Sequence, residues 1–423
     1  MDIQIRASIP HGSVTPPSSK SISHRALIAA SLSRGQSTIS SILLSDDTNQ
    51  TIEALRVLGV DIDLDGTTAA IDSKGVLEAT GDSINVGESG TTARLMIALA
   101  TLADQPITID GTDRLRERPM KDLCLALEQQ GISIEYKDTQ YALPCTVHPG
   151  RLKGGLIEIS GTTSSQFISA ILFIAPLAES DVQIKVTDRL ESSEYVDLTI
   201  DSLSEHGVIV EKKGNNEFHV VSGQKYKAID TTIEADYSAA SYFALLGAIN
   251  SVVTIEILKK DSHQPDRVFI DFLQKLGADV QQEGGGVTIA PGELHSGSFD
   301  ISGCPDIAPT LAMCGAFTND YLELTGTRRL TEKESNRQHA IVTNLRSLGA
   351  RVEEDENSIR IYRSKLKYGT VDSMGDHRIA MSFAILGTMI DGGLIIENAG
   401  VVAKSYPQFF DDLKGLDIDV QNI

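Results

Sequence analysis

Basic residues are scarce in this chain, and cysteines are few. The 423 residues contain 37 Lys and Arg against 58 Asp and Glu, which gives a net charge of −21 and a pI of about 4.8. This balance argues against a nucleic-acid partner, because binding to phosphate backbones requires a basic surface. The four cysteines form no C-x-x-C pair and no metal-ligand spacing, so we expect reduced structural thiols rather than a zinc site or a disulfide framework.

Long apolar runs and several common catalytic motifs are also missing. The longest apolar run, Phe167 to Ala178, is interrupted by Pro176 and is shorter than the roughly 20 residues that span a bilayer. No P-loop, G-x-G-x-x-G, G-x-S-x-G or H-E-x-x-H motif occurs, which disfavours nucleotide-driven chemistry and these hydrolase classes. The chain opens with an alternating, strand-like segment rather than a secretory signal, so we expect a cytoplasmic protein without a membrane partner.

A repeat of about 70 residues runs through the whole chain. A helical stretch that ends in Gly, followed by an alternating strand, recurs with spacings of 72, 76, 70 and 72 residues at Gly59, Gly131, Gly207, Gly277 and Gly349. A sixth copy has Asp417 at the glycine position, 68 residues further on. Glycine suits the left-handed conformation that ends many helices, so these positions predict helix C-termini.

A second, more apolar helix is predicted ahead of each of these copies. Short β-rich runs follow it, and a hairpin is predicted between Val208 and Val221. The unit is therefore strand, helix, strand, helix, strand, strand. The predicted apolar helices are Ser21–Leu32, Ser89–Leu102, Ser164–Leu177, Tyr237–Ile249, Asp306–Phe317 and Asp376–Met389.

Six units predict an α/β protein with two similar domains of three β-α-β-α-β-β units each and a cleft between them. The sixth unit lacks a strand, which the segment Asp2–Ile9 can supply. We therefore predict one domain from residues 1–12 and 232–423 and a second from residues 13–231, with crossings near residues 11–17 and 229–234. The alternative is a one-dimensional solenoid.

Lys and Arg recur at predicted helix N-termini, where a cation is normally unfavourable. Examples are Lys20 and Arg25, Arg94, Arg114 to Arg118, Lys333 and Arg337, Arg378, and Lys404. Helix dipoles, backbone N–H groups and fixed cations together bind anions strongly. If equivalent ends of both domains face one cleft, the sequence predicts a small polyanionic substrate there.

Each polar residue in this pattern also has a structural interpretation. Ser19, Ser21 and Ser164 can be ordinary N-caps, and Asp306 can cap the helix that follows Pro305. Thr331 to Glu334 has a capping-box pattern, in which Glu334 reaches back to the start of its own helix. His24 and His377 can be buried histidines with satisfied hydrogen bonds.

Seven motifs spread over the chain resemble those of the 5-enolpyruvylshikimate-3-phosphate synthases. This family transfers the carboxyvinyl group of phosphoenolpyruvate to the 5-hydroxyl of shikimate 3-phosphate, which gives 5-enolpyruvylshikimate 3-phosphate and phosphate. The resemblance also implies the two-domain enolpyruvyl transferase-like fold. The motifs are S-K-S-I-S-H-R at 19–25, S-G-T-T-A-R at 89–94, R-E-R-P-M at 116–120, S-S-Q-F at 164–167, K-E-S-N-R at 333–337, D-H-R-I-A-M at 376–381 and A-K-S-Y-P at 403–407.

The resemblance implies two sets of binding residues. Those for shikimate 3-phosphate are Lys20, Ser21, Arg25, Ser164, Ser165, Gln166, Ser192, Asp306 and Lys333. Those for phosphoenolpyruvate are Lys20, Gly90, Arg118, Gln166, Arg337, Arg378 and Lys404.

The same resemblance assigns catalytic roles. Asp306 would accept the hydroxyl proton, Glu334 and Lys20 are candidates for protonating the methylene carbon, and His377 would orient Glu334 or the departing phosphate. No metal or cofactor is expected. We expect a monomer whose partners are the two small-molecule substrates.

Three positions depart from the family pattern. Glu88 stands where Asn is usual, Ser193-Glu194 stands where Lys-Pro is common, and Thr331 replaces a basic residue. Glu88 adds a negative charge near the anion sites and the other two changes remove positive charge, so the affinity and the response to glyphosate stay open. Which carboxylate protonates carbon is also open.

Three alternatives stay open at this point. One is the sister enzyme that uses UDP-N-acetylglucosamine, although its reactive cysteine is missing from Arg114–Arg118. The others are a ring-forming DNA clamp of six repeats and a non-catalytic anion-binding homologue.

Overall fold

A computed structural model describes residues 1–283 and 285–423. The described helices largely alternate between apolar, mostly buried ones and amphipathic ones, as the repeat predicts. The α-helices are α1 Lys20–Leu32, α2 Asp46–Val57, α3 Gly90–Leu99, α4 Asp113–Arg116, α5 Lys121–Gln129, α6 Ser165–Ile174, α7 Ser193–Glu205, α8 Tyr237–Ile249, α9 Val268–Leu276, α10 Ala308–Cys314, α11 Arg337–Ser347, α12 His377–Gly387 and α13 Phe409–Gly415. Short 3₁₀ turns cover Ala100–Leu102, Ala175–Leu177, Pro265–Arg267, Pro305–Ile307, Gly315–Phe317, Arg328–Glu332 and Ala399–Lys404.

The strands are short and follow the predicted order within each repeat. They are β1 Ile3–Ile5, β2 Ser13–Val14, β3 Arg34–Ser40, β4 Asp61–Asp65, β5 Thr68–Lys74, β6 Ser83–Asn85, β7 Ile107–Asp110, β8 Ile134–Tyr136, β9 Cys145–Val147, β10 Gly155–Ile159, β11 Val182–Val186, β12 Val210–Lys213, β13 Glu217–Val220, β14 Thr231–Thr232, β15 Val253–Ile255, β16 Asp279–Glu283, β17 Gly286–Ala290, β18 Gly297–Asp300, β19 Tyr321–Thr325, β20 Val352–Glu354, β21 Ser358–Tyr362, β22 Gly369–Asp372, β23 Leu394–Glu397 and β24 Val420–Asn422. The predicted hairpin within residues 208–221 is confirmed by the antiparallel pair β12 and β13.

Each repeat builds one four-stranded sheet, so the described part of the chain contains six. In the second repeat the order is β6-β7-β9-β8, where β6 and β7 are parallel and the other neighbours are antiparallel. The parallel pair is joined through the apolar helix α3, which is the crossover that parallel strands require. The α/β repeat inferred from spacing is therefore confirmed.

Three sheets are completed by strands from distant parts of the chain. The predicted closure is confirmed, because β1 lies between β23 and β24 in the sheet of the sixth repeat. In the same way, β2 pairs in parallel with β15, and β14 pairs in parallel with β3. Each segment that passes from one half of the chain to the other therefore supplies a strand.

The chain divides into two compact units, Met1–Pro17 with Glu234–Ile423 and Ser18–Ile233. We call them the terminal unit and the central unit. The division after Pro17 lies later than the predicted boundary after residue 12, because Ser13 and Val14 hydrogen-bond to the β15 strand of the terminal unit. Two compact units are incompatible with the solenoid alternative.

Each unit has its own hydrophobic core around three apolar helices. These are α1, α3 and α6 in the central unit and α8, α10 and α12 in the terminal unit. Nearly every residue of α6, α8 and α12 is buried. This burial explains why these helices carry small and apolar side chains on all sides and are not amphipathic in sequence. Among the described residues, no helix combines the length and the apolarity needed to cross a bilayer.

The recurring glycines of the repeat adopt the left-handed conformation that the sequence predicts. Gly59, Gly131, Gly207, Gly277 and Gly349 all have positive φ, between 77° and 105°. Asp417, which replaces glycine in the sixth repeat, is also left-handed, with φ of 64°. Backbone geometry at the helix end is therefore kept in all six copies, even where glycine is not.

Candidate active site

Arg337 is the centre of a buried charge cluster in the terminal unit. It is the first residue of α11, and its side chain is 0% exposed. Its guanidinium donates from Nη1 to Asp306 Oδ1 at 3.0 Å, from Nη2 to Glu334 Oε2 at 2.7 Å and from Nε to Asp376 Oδ2 at 2.9 Å. Three carboxylates from two repeats, Asp306 and Glu334 of the fifth and Asp376 of the sixth, thus meet on one buried cation.

Arg378 supplies a second cation to the same cluster. This second residue of α12 donates from Nη2 to Asp306 Oδ2 at 2.7 Å and from Nη1 to the Tyr242 hydroxyl at 3.5 Å. Asp306 therefore bridges the two guanidinium groups, one on each carboxylate oxygen. Although burial alone would raise the pKa of Asp306, Arg378 and Arg337 hold it well below the usual range of a carboxyl.

Further predicted residues lie in the same unit. Lys404 Nζ donates to the carbonyl of Gly375, just before α12 begins. His377 is the first residue of α12 and is buried. Lys333 precedes α11, and its pKa falls to about 7, first because of burial and then because of nearby Arg329. At neutral pH this lysine is thus balanced between its charged and neutral forms.

The central unit brings together the predicted residues of the first repeat. Lys20 starts α1, and its Nζ donates to Asp47 Oδ2 at 2.9 Å, with both side chains less than 15% exposed. Ser21 follows in the first turn of α1. Arg25 is buried and donates to Thr199 Oγ1 and to the carbonyl oxygens of Ser21 and Tyr195 at 2.8–2.9 Å. Burial lowers the pKa of Arg25 to about 10, so it stays charged at neutral pH.

Residues of the second and third repeats meet through Gln166. Its Oε1 accepts from Arg94 Nη1 at 2.7 Å, and its Nε2 donates to Thr91 Oγ1 at 2.9 Å. Ser164 is the N-cap of α6 and accepts from the Gln166 backbone, and Ser165 is the first residue of that helix. The N-termini of α3 and α6 are therefore tied together by side-chain hydrogen bonds.

Gly90 and Arg118 are in close contact at the N-terminus of α3. A Cβ atom at Gly90 would lie 2.6 Å from Arg118 Nη1 and 2.8 Å from its Cζ, so any side chain there would require the Arg118 guanidinium to move. The guanidinium therefore packs directly on the helix start. Ser192, which precedes α7, is buried and has a positive φ of 52°, a conformation that is costly for a residue with a side chain.

The interpretation of the polar residues as helix caps or buried histidines is confirmed for some of them and wrong for others. Ser19 and Ser164 do cap their helices. His24 is a buried histidine whose Nδ1 hydrogen-bonds Thr51. The capping-box interpretation of Glu334 is wrong, because Asn336 caps α11 and Glu334 lies before the helix, where it binds Arg337. Asp306 does not cap α10 with its side chain, which binds the two arginines.

Sequence reasoning misplaced one helix and missed several partners. Lys404 was expected at a helix start, but it ends a 3₁₀ turn, and α13 begins only at Phe409, beyond Pro407. The missed partners are Asp47 for Lys20, Asp376 for Arg337, Tyr242 for Arg378 and Arg94 for Gln166. Asp376 and Arg94 did stand inside the quoted motifs, which was the available signal.

The three departures from the family pattern, Glu88, Glu194 and Thr331, are all exposed. Glu88 directly precedes Ser89, the N-cap of α3, and Glu194 lies in the first turn of α7, where the helix dipole favours a negative charge. Among the described residues, no group of three or more His, Cys, Asp or Glu is placed to hold a metal ion.

Several known proteins are similar to this chain. A 3-phosphoshikimate 1-carboxyvinyltransferase from Clostridium kluyveri is 37% identical over 406 residues, covering 96% of this chain and 95% of that protein. Its namesake from the archaeon Methanoculleus marisnigri is 38% identical over 403 residues, covering 94% and 95%.

Solved structures share the fold. An EPSP synthase from Acinetobacter baumannii superposes with a TM-score of 0.84 at 24% identity over 100% of both chains. The enolpyruvyl transferase NikO from Streptomyces tendae gives 0.80 at 16% identity, covering 99% of this chain and 98% of that chain. Residues 7–413 match the model of the family described as EPSP synthase (3-phosphoshikimate 1-carboxyvinyltransferase). The chain belongs to the EPSP synthase family.

Proposed function

We propose that this protein transfers the carboxyvinyl group of phosphoenolpyruvate to the 5-hydroxyl of shikimate 3-phosphate, releasing phosphate. The observation that carries the proposal is the pair of buried arginines, Arg337 and Arg378, that converge on Asp306 in a member of this family. Fixed cations beside a carboxylate suit a reaction in which an anionic substrate loses phosphate while a hydroxyl loses its proton. Both substrates are phosphorylated metabolites, which suits a cytoplasmic enzyme. The proposal also includes a monomeric state.

Shikimate 3-phosphate would be bound by residues at the starts of α1, α6 and α7. Lys20, Ser21 and Arg25 come from the first of these helices. The others in the central unit are Ser164, Ser165, Gln166 and Ser192. Asp306 and Lys333 of the terminal unit complete the proposed set. The N-termini of α1 and α6 offer N–H groups as well as side chains, which favours a dianionic phosphate.

Phosphoenolpyruvate would be bound by cations from both halves of the sequence. The proposed residues are Lys20, Gly90, Arg118, Gln166, Arg337, Arg378 and Lys404. The two arginines of the terminal unit already hold carboxylates, so an incoming carboxylate or phosphate would exchange with Asp306 or Glu334 rather than add to an empty site. In this exchange, binding of the substrate frees the catalytic carboxylates from the arginine guanidinium groups.

The exchange also explains how Asp306 could act as a base. While Arg378 and Arg337 neutralise it, its pKa is too low for it to hold a proton near neutral pH. When a bound anion takes over one guanidinium, the pKa of Asp306 rises and the carboxylate becomes a better acceptor for the 5-hydroxyl proton. Glu334 and Lys20 would deliver a proton to the methylene carbon, and His377 would orient Glu334 or the leaving phosphate.

Phosphate release in the presence of both substrates tests this function. The purified protein is incubated with phosphoenolpyruvate and shikimate 3-phosphate, and phosphate and the enolpyruvyl product are quantified. Parallel reactions replace shikimate 3-phosphate by UDP-N-acetylglucosamine or omit the acceptor. Release that depends on shikimate 3-phosphate supports the proposal. Release only with the nucleotide sugar would point to the sister reaction, and no release with either acceptor would point to a non-catalytic homologue.

Replacing Gly90 by alanine should weaken phosphoenolpyruvate binding without unfolding the protein. The new Cβ would overlap the Arg118 guanidinium, which is the flexible end of a side chain and can move aside at little cost in stability. A displaced Arg118 would no longer meet its ligand, so KM for phosphoenolpyruvate should rise about tenfold or more, the loss of one charge-assisted hydrogen bond of roughly 1.5–3 kcal/mol. Steady-state kinetics for both substrates and a thermal melt measure the two effects.

Gly415 provides the control for this prediction. It is the last residue of α13, and a Cβ there would meet no atom within 4 Å. Gly415→Ala should therefore leave both KM values unchanged. An unchanged KM for phosphoenolpyruvate in Gly90→Ala would contradict the placement of Arg118 in that binding site.

A further inference from the structure

Asp266 is a buried carboxyl group that none of the roles above includes. It lies in the 3₁₀ turn Pro265–Arg267, just before α9, and is 1% exposed. One oxygen, Oδ2, accepts a very short hydrogen bond from the Ser238 hydroxyl on α8, whereas Oδ1 is buried and has no hydrogen-bond partner. A charged carboxylate with an unsatisfied buried oxygen is costly, so this geometry favours the neutral acid.

Two of the three charged groups around Asp266, Asp306 and Arg378, belong to the candidate active site. Asp236 faces it from the N-terminus of α8, Asp306 from the 3₁₀ turn before α10, and Arg378 from α12. Arg378 is the only cation among these groups, and it already donates to Asp306 and Tyr242. Burial and then Asp306 raise the pKa of Asp266 to about 7, against the smaller opposing effects of Arg378 and Ser238.

We propose that Asp266 is a positioning residue for phosphoenolpyruvate, which as a neutral acid leaves Arg378 to Asp306 and the substrate and as an anion competes for Arg378. The inference rests on the proposed function, because it places Arg378 in the phosphoenolpyruvate site. An ionised Asp266 would draw the guanidinium towards itself and would add a negative charge beside an anionic ligand. Both effects weaken phosphoenolpyruvate binding, and neither requires Asp266 to touch the ligand.

The proposal predicts a pH dependence with a definite sign. As pH rises from 6 to 8, Asp266 loses its proton, and the Kd and KM for phosphoenolpyruvate should rise, by at most about tenfold per pH unit above the transition. Asp266→Asn keeps the shape of the neutral acid and cannot ionise, so its ratio of Kd at pH 8 to Kd at pH 6 should be several-fold smaller. The ligand's own ionisation is common to both proteins and cancels in the comparison.

Ser238→Ala gives a second test that does not depend on the asparagine variant folding. The hydroxyl donates to Asp266 and so favours its charged form. Without it Asp266 should ionise at higher pH, and the rise in Kd should move to higher pH with it. Asp279→Asn, an exposed residue on β16, serves as the control and should keep the pH dependence of the unaltered protein.

The experiment is calorimetric titration of phosphoenolpyruvate between pH 6 and 8 without shikimate 3-phosphate, so that no turnover occurs during the Kd measurement, with KM measured in parallel in the presence of both substrates. Lys333, whose pKa is also about 7, titrates in the same range. If the rise in Kd persists in Asp266→Asn and does not shift in Ser238→Ala, the proposal is overturned and Lys333 becomes the better explanation. A Kd that depends on Asp266 in a protein without turnover would uphold this inference and reject the proposed function instead.

Discussion

Arg337→Met is expected to lower the stability of the protein more than any other single substitution considered, and to lower its activity strongly as well. The methionine would leave Asp306, Glu334 and Asp376 without the cation that now binds all three. Breaking a buried ion pair by removing one partner typically costs about 3–5 kcal/mol, because the remaining charge is stranded in a poorly solvated place. We expect a loss of that size in the free energy of unfolding, and a fall in kcat/KM of about 10³-fold.

The stability loss should depend on pH in a way that identifies its cause. Asp306 has a depressed pKa in the folded protein, so its pairing stabilises the fold above the pKa of the unfolded carboxyl, and this contribution is lost as the pH falls through the folded pKa. Arg337→Met removes part of that contribution. The difference from the unaltered protein should therefore stay nearly constant from pH 7 down to about pH 4, close to the pKa of an unfolded carboxyl, and should shrink as the pH falls further. Urea denaturation at several pH values, together with phosphate release, measures it.

A matched arginine and a double variant test this interpretation. Arg6 forms an ion pair with Asp419 at 3.7 Å in the same unit, but its side chain is about half exposed, so Arg6→Met should cost less than about 1 kcal/mol. Combining Arg337→Met with Asp376→Asn removes one stranded charge. The double variant should be more stable than the sum of the two single losses implies. Additive losses would show that Asp376 and Arg337 do not interact.

The repeat allowed most of the fold to be predicted, because its signals are local. A left-handed residue at a helix end favours glycine, and five of the six positions keep it. The apolar helices lie between these left-handed residues at nearly constant spacing along the sequence. The exact domain boundary was harder to predict. Ser13 and Val14 form only a two-residue strand, and its partner strand, β15, lies in another repeat.

The candidate site was predictable only in its cations and motif residues. Arg337 and Arg378 stand out because a basic residue at a helix N-terminus opposes the helix dipole. Their carboxylate partners give no such signal in the sequence, because an acidic residue at the start of a helix is expected there as an ordinary N-cap. Asp376 does cap α12, by accepting from the Arg378 backbone, and it also binds the Arg337 side chain from 39 residues away. Only the tertiary structure reveals the second role.

Lys20→Met is expected to reduce catalysis severely while leaving the fold nearly intact. Lys20 starts α1, where a cation is unfavourable, and its Nζ forms an ion pair with Asp47. Loss of that pair is partly offset by relief of the unfavourable charge at the helix N-terminus, so the free energy of unfolding should change by only about 1 kcal/mol. Because we assign Lys20 to both substrates and to proton delivery, kcat/KM should fall by about 10³-fold.

Two further lysine variants determine what this result means. Lys74, like Lys20, forms an ion pair, in this case with Glu78, but its side chain is 72% exposed. Lys74→Met should therefore keep full activity. Lys20→Arg keeps the charge but replaces a compact ammonium by a planar guanidinium with no proton to give, so it should recover binding more than kcat. Equal recovery of both would remove Lys20 from the proton-transfer step, and full activity of Lys20→Met would remove it from the active site. A large stability loss in Lys20→Met would instead show that its pairing with Asp47 holds α1 and α2 together.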